Sequence, residues 1–245
     1  MDLVTEINMF ESIASAASER WNDLNSGSKP WIRIGTALCG EAAGSKNLLP
    51  KIRSILDDLK IDANVSEVGC LGLCFAEPLM DIQLPGENRV FYRNVSENDL
   101  EQILTSHIKD SKVNSDLAFL YSGDEDIEDV PRLESHPMKA KEQRISLRNA
   151  GDIDPYDIDQ YIANGGYHAL NKALFEMDSE AVLNEVKDSG LRGRGGAAFS
   201  TGIKWSFLAS NNAPDKYILC NCEEGDPGAF NDKGILESDP HTVVE

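Results

Sequence analysis

The chain has 245 residues, 41% of them hydrophobic and 27% charged, a balance that belongs to a folded protein and allows one large or two small cores. Its 42 acidic and 23 basic residues give a formal net charge of −19, a field that repels phosphate backbones and argues against nucleic acid as a partner. No apolar run approaches the ~20 residues of a membrane span, and the opening Met1-Asp2-Leu3-Val4-Thr5-Glu6 lacks the basic-then-apolar order of a secretion signal; the expectation is a cytoplasmic protein that meets a membrane only through partner subunits.

In chain order, residues 1–27 read as a polar helix ending at the turn-forming Asn25-Ser26-Gly27-Ser28. Trp31-Ile32-Arg33-Ile34 alternates as a strand does. Ile52, Ile55, Leu56 and Leu59 fall on one face of a helix over 48–59. Strands are predicted at 79–84 and 90–92 around a Pro85-Gly86 turn, and Ser96 is placed to cap a helix with Leu100, Ile103, Leu104 and Ile108 on one side. The order β-α-β, cysteine loop, β-β-α describes a small α/β domain over residues 1–110. Residues 111–150, nearly all acidic from Ser122 to Asp129, read as an extended connector. Helical patterning returns at 157–175 and 179–188, so that 151–245 reads as the start of a second α/β domain. His241-Thr242-Val243-Val244-Glu245 reads as the middle of an amphipathic segment, which predicts a chain cut short.

The densest signal runs from Gly190 through Leu191-Arg192-Gly193-Arg194-Gly195-Gly196-Ala197-Ala198-Phe199-Ser200-Thr201-Gly202-Ile203 to Lys204-Trp205. Glycines this dense let a backbone approach a ligand and aim several N–H groups at one anion. Arg192, Arg194 and Lys204 add positive charge, and a helix starting at Ser200 would face its N-terminus to the same anion. The chemistry is phosphate binding. Two generic readings fail on context: the dinucleotide fingerprint needs a strand before the glycines, where the pattern here is helical, and a phosphate-hydrolysing P-loop needs Gly-Lys-Ser/Thr in contact, which Gly202-Ile203-Lys204 interrupts. A second segment, Tyr217-Ile218-Leu219-Cys220-Asn221-Cys222-Glu223-Glu224-Gly225-Asp226-Pro227-Gly228-Ala229-Phe230, reads as a short apolar strand running into an acidic turn. Carboxylates at a strand end accept hydrogen bonds from ribose or ribityl hydroxyls.

The two segments resemble the paired signatures of the flavoprotein subunit of NADH:quinone oxidoreductase, a module also used by NAD-linked hydrogenases and formate dehydrogenases. The family motifs read GLRGRGGAGFPTGLKW and CNADEGEPG or CNGDEGDPG. The resemblance implies that Gly193, Arg194, Gly195 and Gly196 line the FMN phosphate and ribityl chain. By the same likeness Lys204, Asn221, Glu223 and Glu224 hold the flavin, Phe199 and Phe207 stack on the NADH adenine, and Asp226 faces the nicotinamide nucleotide. This sequence departs at Ala198, Ser200 and Glu223, where the family has Gly, Pro and Asp; the methyl of Ala198 matters only if that position needs positive φ. The implied reaction is hydride transfer from NADH to FMN with electrons passed to iron–sulfur clusters, the flavin carrying the chemistry and no side chain acting as nucleophile or acid. The implied partners are other subunits of an oxidoreductase complex, including a ferredoxin-like small subunit. The family's 4Fe–4S motif and further flavin contacts lie beyond Glu245, so the fragment alone is expected to be inactive.

The five cysteines are Cys39, Cys70, Cys74, Cys220 and Cys222, and the histidines, His107, His136, His168 and His241, are scattered. Cys70-x3-Cys74, with Cys39 after the first strand, groups thiols as a 2Fe–2S cluster requires. The N-terminal region resembles thioredoxin-like ferredoxins, and that resemblance places a further cysteine near Arg33 or Ile34, where neither residue ligates iron. Three options stay open: a group such as Glu41 or Ser45 completes the shell, the cluster is labile, or the domain is kept empty for docking. Cys220 and Cys222 read as packing thiols of the flavin strand. The alternative to an electron-input subunit is a non-catalytic remnant, a thioredoxin-like docking domain within an oxidoreductase complex.

Overall fold

The computed structural model describes residues 3–245, with side chains from Met9 onward. The chain divides into two compact units, one of residues up to 12 with 167–223 and the other of residues 13–166 with 224–245.

The larger unit is built on a five-stranded sheet in the order β2-β1-β3-β4-β5, with β1 Trp31–Gly35, β2 Asn64–Val68, β3 Met80–Gln83, β4 Arg89–Tyr92 and β5 Ala118–Ser122. β1 and β2 run parallel, Gly35 opposite Val68, while β3, β4 and β5 pair antiparallel. This mixed α/β arrangement, a βαβ unit followed by a ββα unit, is the thioredoxin-like order expected from the sequence. β1 is buried at all five positions, which suits a central strand whose neighbours lie on both sides. Helix α1 spans Leu3–Ser26, and its Trp21 meets Trp31 of β1 edge to face at 5.7 Å.

Two helices form the crossover between β1 and β2. Gly44, at φ 101, ends α2 (Leu38–Ala43) in a left-handed turn that a side chain would oppose, and α3 (Ser45–Leu59) leaves at a new angle. Leu48, Leu49, Ile52, Ile55 and Leu56 of α3 are buried against Ile32, Ile34, Met80 and Ile82 of the sheet, each contributing about 1.5–3 kcal/mol of burial. The Ser96 cap is present as a reciprocal pair with Asp99, and α4 (Glu97–Leu104) buries Leu100, Ile103 and Leu104.

The acidic stretch differs from its reading as extended connector: Ala118–Ser122 adds the edge strand β5 beside β4. Leu120 and Tyr121 are buried there, and Arg132 pairs with Asp126 beneath Tyr121. The apolar Ala118-Phe119-Leu120-Tyr121 just ahead of the acidic run sufficed, because β4 offered an open ladder. Beyond it, α5 (Ile158–Ala163) ends at Gly165-Gly166, so the helical stretch predicted over 157–175 is two helices. The unit closes with α9 (Asn231–Ser238) and α10 (Pro240–Val244).

The smaller unit holds α6 (His168–Phe175), α7 (Ser179–Asp188) and α8 (Thr201–Ala209). α7 and α8 approach so closely that a Cβ on Gly202 would lie 2.6 Å from the Lys187 backbone. Among the described residues, no hydrophobic side chain of 167–223 is fully buried. The strand predicted at Tyr217–Cys220 does not form: Tyr217, Ile218 and Leu219 are 80%, 96% and 91% exposed, in backbone without regular structure. A strand needs a partner ladder for its N–H and C=O groups, and no strand of this unit stands beside it among the described residues. No described helix is long and apolar enough to cross a membrane.

Candidate functional site

In the smaller unit the glycine segment folds as a closed loop between α7 and α8. Gly193 N–H donates to Phe199 O at 2.8 Å, Thr201 N–H to Leu191 O at 2.9 Å, and Ala198 N–H to Gly195 O at 3.0 Å. A Cβ built on Gly195 or Gly196 would meet nothing within 4 Å, so packing does not explain these glycines; room beside the backbone does. Ser200, where the resembling family has proline, caps α8 by accepting from Ile203 N–H. Arg192, Arg194 and Lys204 are exposed, and none takes part in an ion pair among the described residues. Phe199 and Phe207 lie 6.4 Å apart between ring centroids, both exposed. Cations without an ion-pair partner among the described residues, a helix N-terminus and an open glycine tip are the features that anion binding by a backbone loop calls for.

Ala198 sits at φ 44, the left-handed region in which a Cβ costs roughly 1–2 kcal/mol. Part of that strain is the difference from a glycine, which costs about 0.5–1 kcal/mol in lost chain freedom. Ala198→Gly is therefore expected to raise stability in a urea titration by a net few tenths to about 1 kcal/mol; a lowered midpoint would show the loop is not strained there.

Asn221 and Glu223 belong to the same unit and are exposed, with Glu223 N–H reaching Asn221 Oδ1 at 3.4 Å. Cys220 is exposed rather than packed, its sulfur 3.2 Å from that of Cys222. Glu224 and Asp226 fall in the larger unit. Asp226 is exposed, and the Glu224 carboxylate accepts from the N–H groups of Asn231, Asp232 and Lys233 at 2.6, 3.0 and 3.1 Å, capping α9.

The larger unit gathers the other three cysteines. Because β1 and β2 are adjacent and parallel, their carboxyl ends open at one sheet edge, and the loops leaving them carry Cys39 and Cys70; Cys74 follows at a helical turn. Cys39 Sγ is 3.3 Å from Cys70 Sγ and Cys70 Sγ is 3.6 Å from Cys74 Sγ, with all three sulfurs within 4.8 Å of one another. The Cys39 thiol donates to Cys70 and, with Gly72 N–H at 3.2 Å and the nearby Lys139 ammonium, lowers the Cys70 thiol to about 6; the same donated bond holds Cys39 well above the usual thiol range. Of the groups named as completing the shell, Glu41 pairs with Lys46 at 3.0 Å on the exposed side, and Ser45 is buried with its hydroxyl unpartnered. Ile34 is in the core, and Arg33 is tied to Asp81.

Sequence reasoning missed the residues that shape this edge. Lys139 and Arg144 both donate to Leu71 O, and α9 clips the two cysteine loops: Leu38 N–H donates to Glu237 Oε2 at 2.8 Å and Cys70 N–H to Ser238 Oγ at 3.3 Å. The basic run Lys139–Arg144 was the available signal; the contact of α9, distant in sequence, left none.

Residues 186–245 match the family described as the Nuo51 FMN-binding domain. The chain is 55% identical over 105 residues to the NADP-reducing hydrogenase subunit HndC of Solidesulfovibrio fructosivorans, covering 43% of this chain and 21% of that protein. It is 48% identical over 101 residues to an F-type chain of NADH-quinone oxidoreductase from Rhizobium meliloti (41% and 24%), and 39% identical over 113 residues to its Escherichia coli counterpart (46% and 24%). Among solved structures it is similar to a thioredoxin-like [2Fe–2S] ferredoxin from Aquifex aeolicus (14% identity, TM-score 0.35, 40% of this chain and 96% of that one). It is also similar to an NAD+-reducing [NiFe]-hydrogenase (19%, 0.30, 96% and 38%). The chain spans about a quarter of the length of the curated relatives it matches. The recognition made from the motifs stands: this chain is a relative of the flavoprotein subunits of NADH-quinone oxidoreductase and of NAD(P)-linked hydrogenase.

Proposed function

We propose that the chain is the electron-input part of an NAD(H)-dependent oxidoreductase, with FMN held by the glycine loop and NADH bound beside it. The observation that carries this reading is the loop itself, with three exposed cations that have no carboxylate partner among the described residues and two glycines whose Cα hydrogens face open space. When bound, FMN supplies hydride acceptance from NADH and onward passage of electrons one at a time. The chain's own residues bind and orient. Gly193, Gly195 and Gly196 bring backbone N–H groups to the phosphate, Arg194 and Lys204 neutralise it, and Asn221 and Glu223 hold polar positions toward the flavin. Phe199 and Phe207 are assigned to the adenine and Asp226 to the nicotinamide nucleotide by the motif likeness; the Glu224 carboxylate, assigned to the flavin by the same likeness, caps α9 in the larger unit. Other subunits of an oxidoreductase complex, a ferredoxin-like one among them, are the partners to which the electrons pass. Residues 1–110 are taken as the thioredoxin-like domain, 111–150 as a connector that also lends Ala118–Ser122 to that domain's sheet, and 151–245 as the flavin-domain segment. An absorption spectrum of the anaerobically purified assembly that contains this chain, before and after NADH, tests the reading. A flavin band bleached by NADH is expected, and an assembly without flavin, or with flavin that NADH leaves oxidised, overturns it.

A further inference from the structure

We propose that the Cys39–Cys70–Cys74 edge is a single-ion site: three thiolates hold one soft divalent cation, zinc or iron, whose fourth position stays open. The inference goes beyond the flavin reading and does not depend on it. A tetrahedral ion about 2.3 Å from each thiolate sets its sulfurs about 3.8 Å apart. The observed separations of 3.3 and 3.6 Å, with the whole trio inside 4.8 Å, converge on one such tetrahedron. A two-iron cluster instead divides four cysteines between two metal centres. The place at which the resemblance calls for its further cysteine is closed. Arg33 is locked to Asp81 at 2.7 Å, and Ile34 is fully buried in the core.

No carboxylate or imidazole joins the convergent trio among the described residues. The three cysteines line a groove of about 370 Å³ with Ala37, Leu38, Ala42, Phe230, Gly234 and the Lys233–Glu237 pair, and the Glu237 carboxylate is engaged by Leu38 N–H and Lys233. The fourth vertex thus falls to water or an exchangeable small ligand, the arrangement of three protein ligands plus one open position. Thiolate ligands select soft and borderline ions such as zinc over magnesium or calcium. The three cysteines bind as thiolates, and whatever thiol protons remain on them leave to solvent. The loops are already fixed, since Leu38 N–H and Cys70 N–H are tied to α9 and Leu71 O is held by Lys139 and Arg144.

The experiment is metal and acid-labile sulfide analysis of the full chain, purified anaerobically and then offered zinc, or iron with sulfide, in separate portions. One ion per chain without retained sulfide is expected. Two irons and two sulfides stably held per chain, or no metal from either portion, overturns the proposal. Cys70→Ser should abolish uptake and Cys220→Ser should leave it intact. Should Cys70→Ser fail to fold, alkylation of the wild-type chain decides: zinc should protect Cys39, Cys70 and Cys74 while Cys220 stays reactive, and equal labelling with and without zinc refutes the site.

Discussion

Asp81→Ala is expected to cost about 3–5 kcal/mol, the penalty for leaving buried charge without its partner. Asp81 is the hub of a buried network on adjacent strands: its Oδ1 accepts from Arg33 Nε at 2.7 Å and its Oδ2 from Arg89 Nη2 at 2.7 Å. The side chains of Arg33 and Asp81 are each only 4% exposed. Asp81 bridges the two guanidinium groups, and although Asp152 also pairs with Arg89 at 2.5 Å, Arg33 would be left without a carboxylate if Asp81 were removed. Burial, followed by repulsion from Arg89, already lowers Arg33 to about 10 with Asp81 in place. Secondary supports, Gln83 for Arg33 and Asp152 for Arg89, do not bridge the two arginines. A loss of 3–5 kcal/mol consumes much of the ~5–15 kcal/mol by which domains are stable, so the urea midpoint should fall steeply and the β1 edge that carries Cys39 should loosen with it. Replacing all three residues with apolar ones of similar size should recover most of the loss. An Asp81→Ala midpoint within experimental error of wild type would contradict this account of the sheet.

The second large effect depends on pH. His107 is 1% exposed; its Nδ1 meets the Tyr92 hydroxyl at 2.9 Å, and its Nε2 is buried without a partner. Burial lowers it from 6.5 to about 4, so the folded protein keeps the ring neutral. A depressed pKa contributes stability that is present above the unfolded value and lost as pH falls toward the folded one. The window is accordingly pH 6.5 down to about 4. The shift corresponds to about 3 kcal/mol at most. His107→Gln, neutral throughout, should remove that part of the acid limb, so the wild-type-minus-variant difference in unfolding free energy should grow unfavourably for wild type across this window. Parallel curves from pH 7 to 4 would show that His107 does not titrate as its burial demands.

Elements whose partners lie close in sequence were legible. The α3 stripe, the Ser96 cap and the β3–β4 turn are written in local spacing, and the glycine loop in its composition. β5 was obscured because the acidic run that follows at Asp124–Asp129 drew the whole stretch into a connector, and the open edge of β4 makes a strand of Phe119-Leu120-Tyr121. Tyr217–Cys220 misled in the opposite direction: strand composition without a neighbouring ladder leaves an exposed segment without regular structure. The cysteine trio could be proposed from spacing, but not its compactness, which depends on the parallel register of Gly35 with Val68. Nor does any pattern in Arg33, Asp81 and Arg89 announce that they share one buried carboxylate; residues 33 and 81 meet only because β1 and β3 are neighbours. Ala198 shows the useful limit of motif reading: the departure from glycine was visible, its positive φ was not.

The claim on which the functional reading turns is that the cationic loop grips the flavin phosphate, and FMN content per chain in the assembly carrying Lys204→Ala measures it most directly. The account predicts clearly less flavin retained after purification than in wild type, with the fold unchanged by circular dichroism. Equal flavin content in variant and wild type would contradict it.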